Sequence, residues 1–105
     1  MLSPGKSRLF EPKDKWYNNL VYKWLNDENS EVDYYPWIGI QDKANEGEFV
    51  YDSSNVNVTF KNFYSGEPDG EEDENCVAMG YNSYGKWYDH PCADAKQFIC
   101  EIPLL

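Results

Sequence analysis

The chain has 105 residues, with nine Lys plus Arg against nineteen Asp plus Glu for a formal net charge of -10, and 41% of its residues are hydrophobic. That length describes one domain, residues 1–105, and a domain this small buries only about 60–65% of the surface its unfolded chain exposes, so a disulfide or metal tie is expected. The acidic balance argues against a nucleic-acid partner, which is gripped through Lys and Arg. No run of about 18 apolar residues exists to insert into a membrane, and an aromatic content of 17% excludes the profile of an acidic disordered segment.

The opening Met1-Leu2-Ser3-Pro4-Gly5 lacks the basic start and apolar stretch of a signal peptide, which leaves either a cytosolic chain or a mature piece with an added Met. Residues 14–27 then carry a helical period: Trp16, Tyr17, Leu20, Val21, Trp24 and Leu25 recur at i, i+4 and i+8 with a companion at i+1. Asp14 is placed to cap that helix, and the polar cluster from Asn26 ends it. The Trp residues are expected to pack into the core.

After Pro36 the chain changes to short β-branched and aromatic runs at 37–40, 49–51, 56–60, 76–79 and 97–102, which predict strands. Long polar loops separate them at 41–48 and 66–75, and loops of that length in a small domain usually carry function or are disordered. No internal repeat and no low-complexity linker is present.

Residues 67–74 read Glu-Pro-Asp-Gly-Glu-Glu-Asp-Glu, six carboxylates in eight residues. Such a run is either a solvated, mobile loop or a calcium site, since Ca2+ takes six to eight hard oxygen ligands and relieves the repulsion between them. Pro68 stiffens the loop, Cys76 anchors its end, and Asp89 follows Trp87-Tyr88 near Cys92. The spacing excludes an EF-hand.

Trp37-Ile38-Gly39-Ile40, Glu67-Pro68-Asp69, Glu74-Asn75-Cys76, Lys86-Trp87-Tyr88-Asp89, Cys92 and Phe98-Ile99-Cys100-Glu101 together resemble a C-type lectin-like domain, in order and through nearly the whole chain. The resemblance implies an α+β fold with two helices, a small antiparallel sheet and a long calcium-binding loop pinned by a disulfide between Cys76 and Cys92. It places Glu67, Asp69, Glu74 and Asp89 on the principal calcium positions, with Tyr88 where the family has an amide ligand; a protonated phenol is a poor substitute. Asp42, Glu46 and Glu74 match an accessory calcium site, in which Gly70 and Asn75 replace the usual carboxylates.

In sugar-binding members, vicinal hydroxyls replace water on the calcium and hydrogen-bond to the side chains that hold it, which implies a sugar site of Glu67, Asp69, Glu74, Tyr88 and Asp89. Glu67-Pro68-Asp69 matches neither the Glu-Pro-Asn pattern associated with mannose-type sugars nor the Gln-Pro-Asp pattern associated with galactose-type sugars. Both flanking groups therefore only accept hydrogen bonds, and four carboxylates around one divalent ion leave a negative site that disfavours anionic ligands.

Cys100 has no candidate partner in the chain, because the resemblance puts that partner in an earlier helix upstream of Gly5. It is expected to be unpaired, through loss of N-terminal elements in a short form of the domain, as a free buried thiol, or as a link between chains. The cysteines favour an extracellular, secreted setting, and Asn57-Val58-Thr59 is a glycosylation acceptor sequence that agrees with it. His90 either tunes calcium affinity below about pH 6.5 or has no special role. Tyr81 and Tyr84 either stack on a ligand or pack partly against the sheet.

An enzyme is not expected: a single His has no nucleophile beside it, and the carboxylates share one exposed loop without an apolar pocket to raise a pKa. The expected function is calcium-dependent recognition of glycans or glycoproteins, including microbial surface polysaccharide in innate immune defence, with Ca2+ as cofactor. The alternative is a protein- or surface-binding module of the same fold, with or without calcium. Single sugar contacts are weak, so assembly into an oligomer would add avidity.

Overall fold

The structure is a computed structural model and describes residues 7–28, 35–68, 75–80 and 84–102. It begins with a short strand, β1 (Arg8–Leu9), and a helix, α1 (Lys15–Glu28). The expected cap is present, since the Asp14 Oδ1 accepts the Tyr17 backbone N–H at 2.8 Å. This satisfies one of the amides that a helix start leaves without a partner.

The face that α1 buries is half of the expected stripe: Tyr17, Val21 and Leu25 meet the core, and Trp16, Leu20 and Trp24 do not. Asn18 and Leu25 are buried, with Val21 and Tyr22 packed against the core, whereas Trp16, Leu20 and Trp24 are 71%, 48% and 56% exposed. The reason is a polar anchor. The Asn18 Oδ1 accepts the Trp87 indole N–H at 2.9 Å and its amide donates to the Gly85 carbonyl at 3.1 Å. Two buried polar groups elsewhere in the chain depend on Asn18, so the helix turns that side inward and presents its tryptophans outward.

β2 (Trp37–Gln41), β3 (Val50–Tyr51), β4 (Cys76–Met79) and β5 (Trp87–His90) form a four-stranded antiparallel sheet in the order β3-β2-β4-β5. β1 pairs with β6 (Cys100–Glu101) in a separate antiparallel ribbon, Leu9 opposite Cys100. The ribbon is stitched to the sheet at Gly39, whose N–H donates to the Phe10 carbonyl at 2.7 Å. A side chain at Gly39 would lie 2.8 Å from the Glu11 Cγ and 2.9 Å from the Leu9 carbonyl oxygen, so only glycine permits this approach.

Three expected strands are shorter than their apolar runs, the 49–51 run being reduced to β3. Residues 56–60 make only an isolated bridge, Val50 opposite Asn57, and the 97–102 run is β6 preceded by a bridge from Phe98 to Trp37. The resemblance implied two helices; α1 is the one found among the described residues. The core gathers Phe10, Ile38, Ile40, Phe49, Tyr51, Val58, Val77, Met79, Ile99 and Trp87, with Phe60 and Phe63 set edge-on to the Trp87 ring. Such edge-to-face pairs add about 0.5–1.5 kcal/mol each beyond their buried area.

A buried carboxylate sits where the ribbon meets the sheet. Glu11 accepts the Ser53 backbone N–H at 2.8 Å and its hydroxyl at 2.9 Å, and pairs with the Lys13 ammonium at 3.2 Å. Cys76 and Cys92 are bonded as expected, with a Cα–Cα distance of 5.1 Å, and Cys100 is a free, exposed thiol. The exposure removes the buried-thiol reading of Cys100.

Candidate functional site

The geometry that carries Glu67 to Asp89 starts from Trp87. Its backbone N–H donates to the Asn62 carbonyl at 2.9 Å, and its carbonyl accepts the Tyr64 N–H at 3.0 Å, so residues 62–64 run alongside β5. Asn62 also donates through its amide to the Gly85 carbonyl at 3.1 Å and accepts from the Lys86 ammonium at 3.1 Å. A turn then follows, with the Glu67 N–H on the Tyr64 carbonyl at 2.8 Å and Gly66 at φ 89°, a conformation in which a β-carbon is costly. The Glu67–Pro68 peptide is cis.

That turn delivers Glu67 to β5, where its Oε1 accepts the Asp89 backbone N–H at 3.3 Å. β5 alternates inward and outward, so Trp87 and Asp89 are fully buried while Tyr88 and His90 face the other way, half-buried. On the far side of Asp89, β4 pairs Val77 with Asp89 and Cys76 with His90. The Cys76–Cys92 disulfide ties both strands together at the end of the acidic run.

Of the four expected principal ligands, the structure therefore brings the Glu67 carboxylate onto the Asp89 backbone; Asp69 and Glu74 lie outside the described residues. Among the described residues no three His, Cys, Asp or Glu side chains converge closely enough to hold a metal. The donor chemistry still fits Ca2+: a fully buried carboxylate at Asp89 and a second at Glu67 supply hard, anionic oxygens at the point where the acidic run enters the sheet.

Asp42, Glu46 and Asn75 line one cleft, together with Lys43. Asp42 is fully buried; its backbone N–H donates to the Asn75 carbonyl at 3.0 Å and its Oδ2 accepts the Gly47 N–H at 2.8 Å. Its Oδ1 is buried without a hydrogen bond among the described residues, a state that costs free energy unless a cation or water meets it. These residues suit a hard cation, with Glu74 of the expected accessory set outside the described residues.

Tyr88 is held by rings. It stacks on Tyr64 at 5.2 Å between centroids, 20° from parallel, and meets Tyr35 edge-on at 5.2 Å. His90 joins the same group at 5.4 Å from Tyr35. Tyr84 is 77% exposed and Tyr81 lies outside the described residues. Sequence reasoning did not single out Asn18, Asn62, Tyr64 or Tyr35. A detectable signal existed for Asn18 alone, an amide set among apolar residues at core spacing.

Comparison with known proteins agrees with this architecture. A family model, the lectin C-type domain, matches residues 5–102. Human C-type lectin domain family 3 member A is 38% identical over 68 residues, 65% of this chain and 34% of that protein. Bovine tetranectin is 30% identical over 101 residues, 92% of this chain and 48% of that protein. The chain thus spans a third to a half of the length of these relatives. Among solved structures, the mouse scavenger receptor C-type lectin carbohydrate-recognition domain superposes with a TM-score of 0.77 at 25% identity, over 94% of this chain and 74% of that one. The C-type lectin CEL-I from Cucumaria echinata superposes with a TM-score of 0.84 at 23% identity, over 95% and 71%, a likeness of fold. With its disulfide-tied strands, its small antiparallel sheets and a family match running from residue 5 to residue 102, the chain belongs to the C-type lectin domain family.

Proposed function

We propose that the chain is a calcium-dependent carbohydrate-binding module, with Glu67, Asp69, Glu74 and Asp89 holding the principal Ca2+. The observation that carries this reading is the convergence of Glu67 on Asp89 beside the disulfide that closes the acidic run. Anchoring both ends of that run lowers the entropy lost when its carboxylates gather round an ion. A Ca2+ held by these residues would coordinate vicinal sugar hydroxyls, and the carboxylates around it would accept hydrogen bonds from those hydroxyls. Asp42 and Glu46, with Glu74, form the accessory site of the same proposal.

The solved relative described as a carbohydrate-recognition domain supports the assignment of ligand class. Binding rather than catalysis is proposed, with neutral glycans or glycoproteins, microbial surface polysaccharide included, as partners in innate defence. A secreted, extracellular setting is supported by the Cys76–Cys92 bond and by exposed Asn57, an accessible glycosylation acceptor. No described helix is long and apolar enough to cross a membrane.

Isothermal titration tests the metal: the wild type takes up calcium and Asp89→Ala does not, and equal affinity in both removes the proposal. A glycan array run with and without chelator tests the sugar, with a chelator-sensitive signal expected. One observation favours a second reading. Tyr88, at the position of the family's amide ligand, stacks on Tyr64 and meets Tyr35 edge-on, a surface suited to protein or other apolar contacts. Ligand binding that survives chelation would establish that reading over the first.

A further inference from the structure

We propose that Lys43 is a tethered competitor for the accessory calcium, holding that site to weak affinity so that it fills only where calcium is abundant. The inference rests on the accessory site proposed above and adds what sets its strength. Asp42, Glu46 and Asn75 share one cleft with Lys43, and the cleft encloses about 260 Å3. That is room for an ion and several waters, each water taking about 30 Å3. Asp42 is fully buried, and its Oδ1 has no hydrogen bond among the described residues. Such an oxygen calls for a cation. Lys43, the next residue in the chain, brings one positive charge into the same cleft.

The base of Lys43 is fixed and its tip is not. The Lys43 backbone N–H donates to the Gln41 Oε1 at 2.9 Å, and the Gly47 N–H closes the loop on the Asp42 Oδ2 at 2.8 Å. The Lys43 side chain is exposed, and none of the ion pairs among the described residues involves it. An uncommitted ammonium on a flexible four-carbon stem is drawn to the carboxylates beside it. A divalent ion entering the cleft meets that charge as repulsion, and ligand charge is what spreads calcium affinities over many decades, down to about 0.1–1 mM in extracellular modules.

The fold also supplies a place for Lys43 to withdraw. Lys43 lines a second cavity of about 170 Å3, with Trp37, Ile38, Ile40, Gln41 and Asp52. The apolar walls suit the methylene stem, and the Asp52 carboxylate suits the ammonium. Asp52 is exposed, is anchored through its backbone N–H on the Gly39 carbonyl at 2.9 Å, and takes part in no ion pair among the described residues. One lysine therefore serves two carboxylate sites, and calcium decides between them. Removing its charge from beside a divalent ion in a solvated cleft strengthens binding by about three- to tenfold.

Calcium titration calorimetry of the full chain tests this, with the accessory ion defined as the part of the isotherm that Asp42→Ala removes. Lys43→Met tightens that ion by about three- to tenfold, Lys43→Arg leaves it within about twofold of the wild type, and the gap narrows as added salt screens the charge. Lys43→Gln repeats the measurement if Lys43→Met alters the circular dichroism. Asp52→Asn weakens the ion by about two- to threefold in the wild type and by less in Lys43→Met. An Asp42-dependent ion held equally by wild type, Lys43→Met and Lys43→Gln would overturn the inference and leave the accessory site standing. No Asp42-dependent calcium in any variant would overturn both. An equal loss from Asp52→Asn with and without Lys43 would overturn the withdrawal toward Asp52, and a gap indifferent to salt would assign the effect to packing instead of charge.

Discussion

Glu11, Asp42 and Asp89 are the buried carboxylates among the described residues, and the first two, in two regions of the domain, are treated differently. At the ribbon–sheet junction Glu11 is saturated: Ser53 donates to both of its oxygens and Lys13 supplies the counter-charge. At the other end Asp42 has one oxygen engaged by the Gly47 N–H and one, Oδ1, with no hydrogen bond among the described residues. The lesson is that burial of a charge does not mark a site. A carboxylate completed by its own chain holds the fold, and one left incomplete in a cleft of hard oxygen donors is disposed to bind a cation.

The largest effect should come from breaking the saturated side. Glu11→Ala strands the Ser53 N–H and removes the carboxylate that Lys13 pairs with, while Arg8 keeps Glu101, and should cost about 3 kcal/mol in urea denaturation. The loss should be the same with calcium or with chelator; a loss that calcium rescues would erase the contrast. On the incomplete side, calcium at about 100 times its dissociation constant should raise stability by about 2.7 kcal/mol. Asp42→Asn should reduce that gain while shifting stability in chelator by less than about 1 kcal/mol, because an amide oxygen still accepts the Gly47 N–H.

A smaller effect sharpens the comparison from the core. Asn18→Ala leaves the Trp87 indole N–H buried and unsatisfied and frees one donor from Gly85, for about 2 kcal/mol, visible as a lower urea midpoint. The smallest effect is alkaline. Burial raises the pKa of Tyr17 above the ordinary 10.0, with the Glu101 carboxylate adding to it; burial also raises Tyr51, helped by Glu11 and then Asp14. The folded state therefore holds these protons more tightly than the unfolded chain. Their contribution is complete below pH 10.0 and is lost as pH rises through the raised values, so melting temperature should fall there, and Tyr51→Phe should blunt the fall.

Much of the architecture was legible in residues. The helix and its Asp14 cap, the 37–40 and 76–79 strands and the Cys76–Cys92 tie follow from period, capping chemistry and the family pattern. The 56–60 run was misleading because β propensity scores residues without knowing whether a partner strand lies alongside; Val50 offers Asn57 a single bridge. Half of the helix face was misread for a related reason, Tyr17, Val21 and Leu25 being inward as expected and the tryptophans outward. Trp16 and Trp24 rank above Asn18 on any hydrophobic scale, but the scale ignores an indole N–H and a carbonyl that arrive from more than sixty residues away.

By itself, the sequence determined the class of protein and the kind of chemistry it offers: a small acidic domain with six carboxylates crowded into one loop just ahead of Cys76. Those properties reside in residue type and spacing, which no packing alters. Tertiary structure alone decided which carboxylates are complete, which face of α1 meets the core, and that Glu67 reaches Asp89. Each of these depends on contacts between residues far apart in the chain, and such contacts exist only once the backbone has closed around Trp87.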